Sequence, residues 1–119
     1  MSKALKKILS LTSKEKENGI YLSEDGEIFK WGIDNVPHNF TGEYKEWYDT
    51  NILFSHFFYK NGKKNGIFIT YHVNGNIDRQ AYYIKGMLWG DVKHFDSNGR
   101  LLCHRVYRNN ILVTQIFPK

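Results

Sequence analysis

From residue 42 to residue 113 the chain alternates apolar runs of about eight residues with breaks that contain Gly or Asn. Runs of that length suit strands and are too short for ordinary helices. The residue types agree: Ile67, Phe68, Ile69, Thr70 and Tyr71 are β-branched or aromatic, and Asn74-Gly75 follows as a strong hairpin-turn signal. A second run from Ile77 to Ile84 ends at Lys85-Gly86, and the same order of strand, turn, strand, turn is legible at 43–62 and 91–110. Each stretch predicts one β-hairpin. Hairpins joined by short turns predict an antiparallel meander, because consecutive elements tend to lie side by side and no segment is long enough for a crossover.

The hairpins repeat with a period of 24. Gly42, Gly66 and Gly90 share one column; Trp47, Tyr71 and Phe95 share another; Leu53, Ile77 and Leu101, and Tyr59, Tyr83 and Tyr107, share two more. Gly75 and Gly99 align with Asn51, and Gly62 and Gly86 with Asn110. Gly and Asn are the residues that tolerate positive φ, so the glycine columns predict tight turns. A degenerate copy starts at Gly19 and Tyr21, with a turn at Asp25-Gly26 and an aromatic at Trp31. Four units follow, 19–41, 42–65, 66–89 and 90–113, in a repeat domain over 19–119, and terminal repeats are expected to be atypical. The fold class predicted is therefore mainly β, an elongated twisted sheet of four hairpin repeats with a short N-terminal helix. That helix lies in 1–18, where Ala4, Leu5, Ile8, Leu9 and Leu11 fall near one helical face before the polar linker 13–18. A helix this short needs a docking surface. Its own sheet is the expected one, with a partner protein or an anionic membrane as alternatives.

Composition narrows the setting. At 119 residues there is room for one domain, and 16% aromatic content with 2 prolines excludes disorder for most of it. One cysteine, Cys103, permits no internal disulfide and no CxxC motif, which predicts a reducing, cytoplasmic location and a buried structural thiol. Lys6 and Lys7 interrupt the N-terminal apolar run, unlike a signal peptide, and no window reaches the length of a membrane span. The charge of +5 favours acidic partners and also serves solubility.

Catalytic signatures are missing from the sequence: it has no phosphate-binding glycine loop, no HExxH and no GxSxG. His56 and His104 share a column with Gln80 between them, and His72 aligns with Tyr48 and Asp96, so neighbouring hairpins do not stack histidines. No enzyme, metal or cofactor is expected. The aromatic surplus is more informative. Phe57, Phe58 and Tyr59, and Tyr82 and Tyr83, put adjacent rings on opposite faces of one strand, and a short helix cannot cover both. An open aromatic surface with a basic rim is a candidate binding site. Its expected residues are Phe58, Tyr82 and Tyr83 with Lys60, Lys63, Lys64, Lys85, Arg105 and Arg108.

The recurring pattern Gly-x-(Tyr/Phe/Val)-x-x-(Trp/Tyr/Phe), then Asn-Gly-x-(Ile/Leu), then Tyr-x-x-Gly-x-x-x-Gly, seen in NGIFITYHVNGNI…YYIKGMLWG and GEYKEWY…FYKNGKKNG, resembles the MORN-type repeat. The similarity covers about residues 19–113 and is to the variant found in bacterial antitoxin components of toxin–antitoxin systems. It departs from that pattern in the first unit and at Asn51. The resemblance implies an elongated sheet of hairpins and a role in protein scaffolding, with phospholipid binding also associated with such repeats. The expected function is a non-catalytic protein-binding module, an antitoxin or immunity-type inhibitor that occludes a partner protein. The alternative is binding of nucleic acid or anionic phospholipid through the same basic and aromatic surface.

Overall fold

A computed structural model describes residues 3–49 and 51–119. Met1, Ser2 and Thr50, the first two of which belong to the predicted N-terminal segment, lie outside the described residues. Among the described residues two short helices, α1 (Lys3–Leu9) and α2 (Ser13–Glu17), precede the strands. The second corrects the expectation of a linker at 13–18. Thr12 Oγ1 accepts from the Glu15 amide and Glu15 Oε1 accepts from the Thr12 amide, both at 3.1 Å, so a capping box turns a polar stretch into a helix. The docking expectation also changes. Leu5 and Leu9 of α1 stay 44% and 58% exposed, while Lys7 Nζ bonds Glu27 Oε2 at 3.0 Å. Lys16 of α2 reaches Asn51 Oδ1 and lies 5.9 Å from the Trp47 ring centroid.

Among the described residues ten strands form one antiparallel sheet: β1 (Ile20–Ser23), β2 (Ile28–Phe29), β3 (Gly42–Trp47), β4 (Leu53–Lys60), β5 (Lys63–Tyr71), β6 (Ile77–Ile84), β7 (Met87–Leu88), β8 (Gly90–Phe95), β9 (Leu101–Arg108) and β10 (Ile111–Phe117). Their order is β2-β1-β3-β4-β5-β6-β8-β9-β10, with β7 on β6. From β3 onward this is the predicted meander. The first hairpin is reversed, because β1 and not β2 pairs with β3, at Tyr21 opposite Tyr44. Residues 30–41 must therefore return past β1, and they bring Trp31, a 3-10 turn at Ile33–Asn35, and Phe40 with them. This is the physical reason that unit 19–41 lacks the aligned columns.

The period is written in hydrogen bonds as well as in letters. Gly62, Gly86 and Asn110 donate their amides to the carbonyls of Phe40, Lys64 and Leu88 at 2.8, 2.8 and 3.0 Å. These residues and their predecessors Asn61, Lys85 and Asn109 all have positive φ, giving three two-residue turns of the type that matches strand twist. Trp47, Tyr71 and Phe95 follow a register shift in each hairpin, so the aromatic column marks a repeated β-bulge. The Gly42, Gly66 and Gly90 column divides. Gly66 and Gly90 have φ of 108° and 82° in strand irregularities, whereas Gly42 is needed because a Cβ there would lie 2.1 Å from the Leu22 carbonyl oxygen. That corrects the reading of all three as turns.

Tyr21, Phe40, Tyr44, Phe57, Tyr59, Phe68, Ala81 and Val92 form the buried core on one sheet face, with Trp31, Val36, Tyr83, Leu88 and Tyr107 packed around it. Rings meet in sequence: Tyr44 to Phe57 at 4.8 Å, Phe57 to Phe68 at 4.8 Å, Phe68 to Tyr83 at 5.6 Å. Aromatic ladders of this kind stabilise neighbouring strands beyond area burial alone. The radius of gyration, 15.4 Å, exceeds the roughly 13.5 Å of a globular domain this long, as an elongated sheet requires.

Candidate partner-binding surface

Alternation along the strands sorts the candidate residues between two faces. Phe57 and Tyr59 point into the core, so Phe58 and Lys60 point away; Ala81 points in, so Tyr82 points away and Tyr83 in. Ile67 pairs opposite Tyr82, and Lys63 opposite Lys60. The second face thus carries an apolar stripe of Phe58, Ile67 and Tyr82, which are 37%, 50% and 43% exposed. Beside it Ile67, Ile69, Tyr82, Trp89 and Lys93 line a shallow groove of about 430 Å³. Lys60 and Lys63 are exposed at the turn end.

Four of the expected binding residues, Phe58, Tyr82, Lys60 and Lys63, are therefore brought together, and the rest are not. Lys64 lies on the core face, its ammonium 5.1, 5.2 and 5.4 Å from the ring centroids of Phe57, Phe68 and Tyr83. Burial, and secondarily the Arg79 charge, push its pKa below the usual lysine range. Tyr83 is one of the rings it covers. Arg105 is also on the core face, opposite Val92, with Nε donating to Gln115 Oε1 at 2.9 Å. Lys85 and Arg108 stand exposed at turn ends, and the Lys85 amide donates to Asn65 Oδ1 at 3.1 Å. Ile67 and Trp89 were not singled out in the sequence, although parity with Ala81 and Phe68 would have placed Ile67 on the open face.

The histidines of the open face are paired. His56 Nε2 and Glu43 Oε2 are 2.7 Å apart, and one two-unit step along the sheet His104 Nε2 and Asp91 Oδ1 are again 2.7 Å apart. The His56 hydrogen bond holds the Glu43 carboxyl below its usual range, more than burial raises it. Ile67 and Gln80 occupy the same two positions in the intervening unit, so the apolar stripe interrupts a row of histidine–carboxylate hydrogen bonds. On the core face, burial outweighs other influences on His94 and lowers its pKa. The Tyr44 hydroxyl donates to Glu46 Oε1 at 2.5 Å, and burial with that bond raises its pKa far above the ordinary tyrosine value. His72 Nε2 lies 2.8 Å from the Phe95 carbonyl, which only accepts, so that nitrogen carries the proton.

Among the described residues no three His, Cys, Asp or Glu side chains are grouped to hold a metal ion. Cys103 is half-buried and not fully buried as expected. No helix among them is long and apolar enough to cross a membrane. Comparison with family models, with curated proteins and with solved structures found no match to this chain.

Proposed function

We propose that this chain is a non-catalytic protein-binding module that grips a partner protein with the open face of its sheet. The observation that carries this reading is the Phe58, Ile67 and Tyr82 stripe, exposed on a rigid sheet beside Lys60 and Lys63. Flat aromatic and aliphatic anchors with a charged rim are how protein interfaces concentrate their energy. The sheet itself is preorganised, so little ordering entropy opposes binding. The MORN-type resemblance of residues 19–113 supports the same reading. Its finer form is an antitoxin or immunity-type inhibitor that occludes a toxin.

The test is capture from a host lysate on the immobilised chain, followed by titration of the captured species. Tyr82→Ala should weaken a protein partner by about 2 kcal/mol or more, and Lys63→Ala should cost less and act mainly on the association rate. A captured nucleic acid or anionic lipid would reverse that ranking. Its affinity would also fall by orders of magnitude between about 50 and 200 mM salt, which would overturn the protein reading. Turnover of a substrate by the purified chain would overturn the non-catalytic one.

A further inference from the structure

The last strand ends the sheet with an edge that nothing among the described residues covers. Every residue of β10 is exposed, including Ile111 at 69%, Leu112 at 49%, Val113 at 57%, Ile116 at 43% and Phe117 at 43%. The repeat shows what such an edge is built to meet. Residues 63–71 form β5, residues 87–95 form β7 and β8, and β10 begins at the next position in that series, Ile111. The equivalent β5 is flanked by an antiparallel strand on each side, β4 and β6, whereas β10 has β9 alone.

Exposed edges in soluble proteins are normally blunted by brevity, charge or proline. The opposite edge obeys this: β2 is two residues long and is followed by Lys30. β10 is seven residues long, its sequence ILVTQIF holds no charge, and its proline, Pro118, comes only after its end. Two register shifts against β9 add twist without removing the strand.

We infer that β10 pairs antiparallel with β10 of a second copy, making a two-fold dimer centred on Thr114. In that register Ile111 faces Phe117, Leu112 faces Ile116 and Val113 faces Gln115, so the two outer pairs on each side of the axis are apolar and no like charges oppose each other along the strand. An identical copy also supplies a strand of identical twist, which a bulged edge needs. Because the other edge is blunted, the pairing closes at two and does not propagate. This surface is separate from the open face, so the inference stands apart from the proposed function. One strand pair is small beside a standard interface of about 1,600 Å², so the dimer should form in the micromolar range.

Sedimentation of the 119-residue chain from about 1 to 300 μM tests this. The expected result is a monomer–dimer equilibrium that strengthens with salt, because each copy carries +5 and screening relieves their repulsion. Thr114→Lys sets two ammonium groups opposite each other at the two-fold axis only in this register. It should raise the dissociation constant at least about tenfold with an unchanged circular dichroism spectrum, while Thr114→Val keeps the dimer and Tyr82→Ala leaves it untouched. A chain monomeric throughout the range, a dimer indifferent to Thr114→Lys, or growth beyond two copies would overturn the inference.

Discussion

Lys63 and Lys64 are adjacent, identical in type and indistinguishable by charge pattern, yet they do different work. Lys63 is exposed beside Lys60 on the open face, while Lys64 lays its stem across Phe57, Phe68 and Tyr83 and closes the end of the core. Its contribution is packing as much as charge. Lys64→Ala should lower stability by about 1–2 kcal/mol in urea titrations, and Lys63→Ala should stay within about 0.5 kcal/mol. Equal effects would mean that Lys64 does not cover the core, and a reversed ranking that the two faces have been exchanged. The sequence reading grouped the two as one basic rim because charge is visible in a letter and strand parity is not. Parity here also passes through a register shift between Phe57 and Tyr59, which no count of alternating positions would reveal.

At the scale of the element, two glycine columns meet different physical needs. Gly75 holds φ 91° with open space around its Cα, so only the backbone restricts it. Gly42 sits against the Leu22 carbonyl and the Phe40 ring, so space restricts it. Gly75→Asn should therefore be mild, since Asn51 holds φ 65° in the same column, whereas Gly75→Val should cost about 1–3 kcal/mol. Gly42→Asn should be as harmful as Gly42→Val, and urea midpoints for the four variants separate the two causes. Hairpins, turns and period were legible because 24-residue self-similarity repeats the same backbone demand three times. The reversed first hairpin was not, because its covering segment, with Trp31 and Phe40, is used once and has no second copy to compare. The exposed stripe was partly legible: Phe58 and Tyr82 stand out as surplus rings, while Ile67 looks like any strand residue.

Across the whole molecule, the groups with displaced protonation predict how stability follows pH. The His94 pKa is lowered by burial, so the unfolded chain binds that proton more readily; stability is highest above about pH 6.5 and declines as pH falls through the lowered folded value. Glu43 is held down by its His56 bond, so its contribution is complete above about pH 4.3 and is lost as pH falls further, through its own folded value. Urea midpoints from pH 8 to pH 3.5 should therefore drop in two stages. His94→Gln should remove the first, and Glu43→Gln should shrink the second without abolishing it, because Glu15 and Asp96 are also held below the usual carboxylate range by their hydrogen bonds.

The sheet also has a kinetic character that follows from its strand order. From β3 to β10, each strand pairs only with a near neighbour in the chain, and the turn bonds tie Gly62, Gly86 and Asn110 to carbonyls one unit back. Such short loops cost little to close, so any of these hairpins can start folding and recruit the next. The reversed first hairpin is the exception, because the pairing of β1 with β2 covers little of its apolar surface. β1 can pair locally with β2, but it joins the rest of the sheet only through β3, and Tyr21 is covered only once Tyr44 of β3 and Phe40 of the returning 30–41 segment are in place, so the most tightly buried ring among the described residues is among the last to find all its partners.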